Sequence, residues 1–519
     1  MTETPTAVET AAPEHPWRRL SPLMLAVHPV QEVVRLLPVL VGVLFLGSSN
    51  GHGPLWSLIG LGIAIALGLV RWATTTYQVT PDEVRVKRGL LRRQVLSVPR
   101  DRVRSVDLTS HIMQRLLGLS RVVIGTGRSD RKDDGVTLDA LSTAEAARLR
   151  EELLHGRRPV AAAAASTGAT IDAPTDPSLT RPAETELVRL NPAWIRFGPF
   201  TLGGLATIGV LAGVFSQILN EANVRAREFG AARAALDQLG NAPLIVAILE
   251  VTAVLIIVVA LLSTIGYVFA FWNFRLTRHR EGTLHVSRGL LTTRSTTVDE
   301  SRLRGVEISE SLLLRVVHGA RLLAITTGLR VGRGAEKGGS LLLPPAPLAE
   351  AQRVAAAVLG SSTGVTAPLV PHGPRARRRR FTRALGFAAL VTVVLLVPWW
   401  VGIFPAWPWQ AALALLPIGL LLAVDRYRNL GHALLGRTLV VSQGSLVRRR
   451  HVLATDGVIG LIVRESFFQR RAGLATLTTT TAAGKQHYEA LDVELAEAVA
   501  LADATLPGHV TPFLVPARP

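Results

Sequence analysis

Basic side chains gather around one glycine early in the chain, and guanidinium and ammonium groups are the side chains that bind phosphate. Lys87, Arg88, Arg92 and Arg93 flank Gly89. Similar groups recur twice, so the candidate contacts with lipid or a partner are Lys87, Arg88, Arg92, Arg93, Arg102, Arg104, Arg288, Arg294, Arg448 and Arg449. Near a bilayer each adds about 1 kcal/mol of attraction to anionic lipid. The alternative is that these arginines only keep the hairpins soluble and set the membrane topology.

Catalytic patterns are missing from the sequence. The chain has no cysteine, and its 13 histidines form no His-x-x-x-His or HExxH pair. A P-loop and a G-x-S-x-G turn are also absent. We therefore predict a protein that is not an enzyme and has neither a metal site nor a cofactor.

The charge balance points to an anionic partner. The chain carries 57 Lys and Arg against 38 Asp and Glu, although 48% of its residues are hydrophobic. Nucleic acid or an anionic membrane surface could explain this excess. Aromatic residues do not interleave with the basic patches, which argues against nucleic acid. Basic soluble segments alternating with apolar spans explain both numbers.

Six apolar runs occur in three pairs, at residues 33–47, 54–70, 194–217, 243–272, 384–404 and 409–424. Most approach the roughly 20 residues that cross a bilayer. Buried helices of a soluble protein are the alternative. Lys and Arg flank the pairs but not the turns within the first and third, so both termini and the large segments are predicted to be cytoplasmic. Glu250 lies inside the fourth run, where an ionisable group is often functional.

The soluble segments repeat. Gly89, Gly289 and Gly444 align, and ten residues later Pro99, Asp299 and Ala454 align. In each copy an alternating pattern around the glycine predicts a β-hairpin, followed by further strands and a helix. These helices are predicted near residues 143–154, 348–359 and 492–504, and Ser142 with Glu145 forms a capping box for the first. The predicted fold is α+β, with three small barrels or curled sheets that are each capped by a helix.

The domain boundaries follow from these patterns. We predict an N-terminal tail (1–32), a first pair of spans (33–72), domain 1 (73–156), a flexible linker (157–192), a second pair with an external helical loop at 218–242 (193–273), domain 2 (274–360), a basic linker (361–383), a third pair (384–425), domain 3 (426–508) and a tail (509–519).

The repeated motifs resemble the bacterial pleckstrin-homology-like, membrane-flanked domain family of the YdbS/YdbT type, in its three-copy form. The pieces are Arg88-Gly89-Leu90-Leu91, Val98-Pro99, residues 102–106 and residues 114–119. The resemblance implies a partly open seven-stranded barrel with a C-terminal helix, a membrane location and no known catalysis. Copy three lacks the Val-Pro and Arg-x-Arg steps, so a site built from them is best supported in copy one.

The resulting hypothesis is a cell-membrane scaffold or regulator in an envelope or stress-defence complex. Its expected partners are anionic lipids and a smaller membrane-flanked protein of the same type, with no nucleic acid. The alternative is a lipid-binding or transport accessory protein that uses the six spans and Glu250. The sequence leaves the oligomeric state open.

Overall fold

The computed structural model describes residues 17–19, 21–23, 62, 73–80, 82–89, 94–100, 103, 105–125, 135–155, 184–201, 243–280, 282–327, 340–509 and 511–513. The chain divides into two compact units. The first comprises residues 1–181, 217–226 and 291–297, and the second comprises 182–216, 227–290 and 298–519. Apart from residue 62, the predicted runs 33–47 and 54–70 lie outside the described residues, as does the predicted loop 218–242.

Domain 1 lies in the first unit. Its elements, with the short strand that precedes them, are β1 Arg18–Arg19, β2 Thr76–Val79, β3 Glu83–Arg88, β4 Gln94–Pro99, β5 Ser105–Ser110, α1 Ile112–Leu116, β6 Leu119–Gly125, β7 Gly135–Ser142 and α2 Thr143–His155. Strands β1 to β4 form one antiparallel sheet in that order, and β5 to β7 belong to another. Val84 and Val86 of β3 are buried while Arg85 is exposed, as the alternating pattern predicts.

The repeated glycine and the capping residue Ser142 have their predicted roles, whereas the Glu145 side chain accepts from Tyr77 and Arg18. Gly89, Gly289 and Gly444 have φ values of 103°, 110° and 111°, a region that side chains disfavour. The Glu145 backbone N–H donates to Ser142 Oγ at 3.1 Å, just before α2. These local features confirm the predicted hairpins and the start of the first helix.

Domain 2 is built from the next elements. They are β8 Thr185–Arg189, α3 Leu244–Phe271, β9 Arg275–His279, β10 Thr283–Arg288, β11 Thr293–Asp299, β12 Leu303–Ser311, α4 Leu312–Val316, β13 Gly319–Thr326, β14 Leu341–Pro347 and α5 Leu348–Leu359. Strands β8, β9 and β10 are antiparallel neighbours in the second unit. Helix α5 buries Ala351, Val354, Ala355 and Val358, the helical spacing that the sequence predicts.

The remaining elements form the third pair of helices and domain 3. They are α6 Thr363–Thr366, α7 Gly373–Trp400, α8 Trp407–Leu413, α9 Leu415–Arg428, β15 Gly431–Leu435, β16 Thr438–Gln443, β17 Val447–Ala454, β18 Val458–Arg464, α10 Phe467–Ala472, β19 Leu474–Thr481, β20 His487–Glu494 and α11 Leu495–Thr505. Strands β15 to β17 join the sheet of β12 to β14 through β12 and β17, whereas β18 to β20 form a separate sheet. A core that includes Leu477, Tyr488 and Leu501 lies between this sheet and α11.

Three helical segments among the described residues are long and apolar enough to cross a membrane. They are Thr252–Phe271, Gly373–Trp400 and Trp407–Arg428, which coincide with the predicted fourth, fifth and sixth runs. Because α7 begins at Gly373, the arginines predicted to lie in the basic linker form its first turns. At about 1.5 Å per residue, α7 extends beyond the hydrocarbon core into the soluble side.

The structure also differs from the predicted linker at 157–192 and from the predicted start of the third run. Residues Thr185–Arg189 form β8, a strand within the predicted linker. Pro192–Phe200 form a 3-10 helix that packs on α3 and β14, with Phe197 buried. The predicted run at 194–217 therefore begins as a packed segment of domain 2, because Trp194 and Phe197 contribute to its core.

Candidate functional site

A buried carboxylate fixes the first turns of α7 to domain 3. Asp492 of β20 is fully buried and forms ion pairs with both Arg379 and Arg380 of α7. Arg380 Nη2 lies 2.6 Å from Asp492 Oδ2. Gln469 Nε2 donates to Asp492 Oδ1 at 2.8 Å. We name these four residues the Asp492 cluster, and they connect a candidate span directly to the domain that follows it.

Local backbone geometry positions this cluster. Asp492 has a φ of 60°, a conformation that aspartate tolerates better than most residues. Ser466 and Gln469 form a capping box at the start of α10, in which the Ser466 N–H donates to Gln469 Oε1 at 3.0 Å. With its oxygen engaged there, the Gln469 amide directs Nε2 to Asp492 and to Thr476. A short turn in the sequence thus supplies the third contact of a buried carboxylate.

Two histidines extend the same polar region. His372 Nδ1 lies 2.7 Å from the carbonyl oxygen of Leu491, so this nitrogen donates. His372 Nε2 lies 3.1 Å from His432 Nδ1 and accepts from it. Burial lowers the pKa of His372 to about 4 and also lowers the pKa of His432. His372 is therefore neutral at neutral pH, and the two rings link β20 to β15 by hydrogen bonds.

A second ion pair fixes domain 2 to the end of the last candidate span. Arg315 of α4 pairs with Asp425 of α9 through two bonds, of 2.7 Å and 3.0 Å. The same guanidinium donates to the Ser445 carbonyl oxygen in the hairpin turn of domain 3. A bidentate guanidinium–carboxylate pair fixes orientation as well as distance. The last span is thereby bonded to domain 2 and to the turn of domain 3.

Domains 2 and 3 share one continuous sheet. Strands β12 and β17 are antiparallel and paired from Gly305 opposite Leu453 to Ser311 opposite Val447. Glu307 of β12 is buried and lies 2.8 Å from Lys485 Nζ and 3.3 Å from Arg449 Nε. Burial opposes ionisation of Glu307, but these cations outweigh it and its pKa lies below the usual range. We name Glu307, Arg449, His451 and Lys485 the Glu307 cluster.

His451 has the most deeply buried side chain of the Glu307 cluster. Its ring is 2% exposed and packs edge to face on Tyr488, with 4.9 Å between ring centroids. Burial lowers the pKa of His451 to about 4, although Glu307 opposes this shift. The imidazole is thus held neutral inside the junction between two domains.

The described basic candidates lie in several different surroundings. Lys87 is half-buried with its ammonium 5.2 Å from the ring of Trp17. Arg288 is buried over the ring of Phe271. Arg448 lies 3.9 Å from Glu310, and Arg449 belongs to the Glu307 cluster. Arg448 and Arg449 therefore meet carboxylates of domain 2 rather than solvent alone.

The other candidates are placed as follows. Arg294 is half-buried and lies opposite Thr109 in a strand pair. Arg88 ends β3, and its side chain is not described. Glu250 is half-buried within α3, the helix of the predicted fourth run. The residues outside the described ranges are Arg92, Arg93, Arg102 and Arg104.

Each domain exposes an apolar pair on a short helix. This helix is α1 after β5 in domain 1, α4 after β12 in domain 2 and α10 after β18 in domain 3. The pairs are Ile112 and Met113, Leu312 and Leu313, and Phe467 and Phe468. In domain 2 this helix carries Arg315, which is bonded to the end of a candidate span. Apolar side chains beside a span end suit contact with the bilayer interface.

The two charged clusters named above consist of ion pairs between protein side chains. Within the described ranges, no group of three or more His, Cys, Asp or Glu side chains could hold a metal ion. The Asp492 cluster and the Glu307 cluster turn their charges toward other protein groups. Such an arrangement positions domains 2 and 3 relative to the candidate spans.

Sequence reasoning missed Asp492, His372, Asp425 and Glu307. Their partners are distant in the chain, since Arg379 and Asp492 are separated by 113 residues. One signal was available: Arg315 aligns with Arg115 and Arg470 of the other two copies. An arginine that recurs in all three copies beside an apolar pair could have suggested a carboxylate at the span end.

Comparisons with known proteins agree with the repeated fold. The model of the family described as Bacterial PH domain matches residues 32–157, 207–361 and 383–503. These three matches cover more than half of the chain, which therefore belongs to the Bacterial PH domain family.

A curated relative matches this chain over nearly its whole length. The chain is 21% identical over 494 residues to the UPF0699 transmembrane protein YdbT of Bacillus subtilis (strain 168), covering 92% of this chain and 94% of the relative. No solved structure gives a significant match. The family and this relative support a transmembrane protein with three repeated domains.

Proposed function

We propose that this protein is a membrane scaffold whose PH domains assemble proteins through the edges of their sheets. The observation that carries the proposal is the β12–β17 pair, in which one PH domain of the chain binds the next by extending its sheet. Main-chain hydrogen bonds supply affinity in such contacts, and side chains of the Glu307 cluster supply specificity. A cell-envelope or stress-defence complex is the setting we infer for this scaffold.

The finer architecture is part of the proposal. It comprises six spans in three pairs, with both termini and three barrel-like PH domains on the cytoplasmic side. Arg275 and Arg278 follow α3, and Arg426 and Arg428 end α9, which supports a cytoplasmic location for domains 2 and 3. The ion pairs of Asp492 and Asp425 then hold these domains at a fixed position beside the membrane.

Anionic lipid is a second binding partner in this proposal. The exposed apolar pairs of α1, α4 and α10 would enter the interface while nearby basic residues attract head groups. Such a contact requires no specific lipid head group, and it would help to hold the scaffold at the membrane. The transport alternative rests on Glu250, a half-buried carboxylate within the apolar helix α3.

The test is affinity purification of the tagged protein from native membranes after in-cell crosslinking. The scaffold role predicts reproducible protein neighbours whose cross-links lie on the PH domains. Replacing Arg88, Arg92 and Arg93 by Glu tests whether the first hairpin contributes, with Glu250→Gln as the matched variant for transport. A stoichiometric lipid without any protein neighbour would contradict the scaffold and favour lipid handling.

A further inference from the structure

Two strand pairs between repeats use the same register. In the second unit, Val306 of β12 lies opposite Val452 of β17. In the first unit, Val106 of β5 lies opposite Thr297 of β11. The spacing that aligns Gly89 with Gly289 also aligns Val106 with Val306, and the spacing that aligns Gly289 with Gly444 aligns Thr297 with Val452. One repeat thus recognises the next in one defined way.

The strands that would continue this series beyond the two internal pairs, β18 and β4, lie at the edges of their sheets. Strand β18 is the third-repeat equivalent of β5 and β12, and it ends the sheet of β18 to β20. Strand β4 is the first-repeat equivalent of β11 and β17, and it ends the sheet of β1 to β4. Among the described residues, neither strand pairs on its outer side.

Both edges expose apolar side chains. On β18, Ile459 is 70% exposed and Ile462 is 51% exposed. On β4, Val95 is 57% exposed and Leu96 is 41% exposed. Isolated edges normally carry charges, proline or bulges that prevent strand addition. Such protection is confined to the ends of the two edges: Pro99 ends β4, Arg464 ends β18, and a bulge lies between Val458 and Gly460 of β18. The equivalent bulge of β12, between Leu303 and Gly305, does not prevent its pairing with β17.

The shared register shows that the two edges complement each other. Applied to β18 and β4, it places Leu461 opposite Ser97, Ile462 opposite Leu96 and Val463 opposite Val95. At the position of the Glu307 and His451 pair, this third junction thus has isoleucine facing leucine. An apolar cross-strand pair stabilises such a contact without a buried charge.

A glycine at equivalent positions of β12 and β18 gives a further indication that β18 pairs with another strand. A Cβ atom at Gly305 of β12 would collide with the carbonyl oxygen of Val452 on the partner strand. Gly460 holds the equivalent position of β18, where the nearest atom to such a Cβ is Thr480 Oγ1 at 3.2 Å. In β5 the equivalent residue is Ser105, and there the pairing with β11 ends at Val106. Gly460 therefore leaves room for a close partner along β18.

We propose that β18 of one chain pairs with β4 of a second copy of this chain, in the register of the two internal junctions. The proposal rests on the proposed function, since it takes sheet-edge pairing as the mode of assembly. Both halves of the interface occur on one chain, so the contact is head-to-tail. Such a contact closes into a ring or extends as a row in the membrane plane.

The absence of cysteine allows a direct test. Two differently tagged full-length chains, one with Leu96→Cys and the other with Ile462→Cys, are co-expressed and their membranes are oxidised. Directly opposed residues have Cα atoms about 4.5–5.5 Å apart, which lies within the roughly 4.4–6.8 Å range of disulfides. We expect a disulfide between the two tags. Both positions are exposed, so neither substitution removes a core side chain.

Two controls define the outcome. Ser309→Cys with Arg449→Cys in one chain should form an internal disulfide, because these residues are opposed in β12 and β17. His487→Cys, on the opposite edge strand β20 and exposed, replaces Ile462→Cys as the negative control. No disulfide between tags while the internal control forms would overturn the proposal, and so would a disulfide confined to single chains that carry both Leu96→Cys and Ile462→Cys.

Failure of the self-pairing differs from failure of the scaffold role. If the two tags remain uncrosslinked but native membranes yield other protein neighbours of the PH domains, the scaffold stands and the second copy is rejected. If no protein neighbour of any kind is found, the scaffold itself is rejected.

Discussion

Strands β12 and β18 occupy the same position in two repeats, yet their surroundings are opposite. Strand β12 is covered by β17 and buries Glu307 and Ser309. Strand β18 is uncovered and exposes Ile459 and Ile462. The covered strand is the more polar one because Arg449 of β17 and Lys485, in the turn before β20, pair its charge. The comparison indicates that a polar strand suits permanent pairing within the chain, whereas an apolar edge strand suits pairing with a separate molecule.

The largest effect on stability is expected at the Asp492 cluster, which binds domain 3 to α7 away from the open strand β18. Asp492→Asn leaves Arg379 and Arg380 without their buried counter-charge. We expect a loss of about 3–5 kcal/mol in the free energy of unfolding of domain 3. Thermal unfolding of the purified protein in detergent measures it. Asp456→Asn, which breaks the exposed pair with Arg437, is the control and should cost less than about 1 kcal/mol.

At the covered junction, Glu307→Gln keeps the side-chain shape and removes the charge that faces Lys485 and Arg449. Loss of a charged hydrogen bond should destabilise the contact between domains 2 and 3 by about 1.5–3 kcal/mol. Limited proteolysis between the two domains, with denaturant titration, reports this change. An unchanged profile would mean that main-chain pairing alone holds the junction.

Acid should weaken the covered junction through His451. Its pKa is about 4 in the folded protein against 6.5 for a free histidine, so the unfolded state binds the proton first. The stabilisation is complete above 6.5 and is lost as the pH falls from 6.5 toward 4. Lys485, Arg449 and Glu307 face this ring.

Unfolding measured between about pH 7 and pH 5 avoids most carboxylate titration. His451→Gln should flatten the dependence in that range. His372, with a pKa of about 4, and His432, whose pKa is also lowered, should leave a residual slope that the His372→Gln variant reduces. A wild-type protein without any slope in this range would contradict the buried, neutral state of both rings.

The smallest effect on stability is expected at the open edge. Ile462→Gln alters an exposed side chain and should change the free energy of unfolding of the dissociated protein by less than about 0.5 kcal/mol. The same substitution should abolish the cross-link between two copies made through other edge positions, Val95→Cys and Val463→Cys. Destabilisation comparable to Glu307→Gln would show that β18 is already covered within one chain.

The sequence predicts local features well and long-range ones poorly. Gly89 and the helix at 348–359 follow from patterns within a few residues, and the structure confirms both. Arg448 and Arg449 were predicted from composition as lipid or partner contacts, but their placement depends on β12, which is more than a hundred residues away. The predicted linker at 361–383 becomes helical from Gly373 because Asp492 and Glu494 of domain 3 attract its arginines. Such partners become visible only when the repeats are folded together.

Hydrogen exchange of the full-length protein tests the central claim, sheet-edge assembly, most directly. Backbone amides of β12 and β18 are compared in native-like membranes and in dilute detergent where the protein is monomeric. We predict that β12 stays protected in both conditions because β17 covers it. Strand β18 should be protected in membranes and should lose protection at its outward-facing amides in detergent. Equal, weak protection of those β18 amides in both conditions would contradict the account.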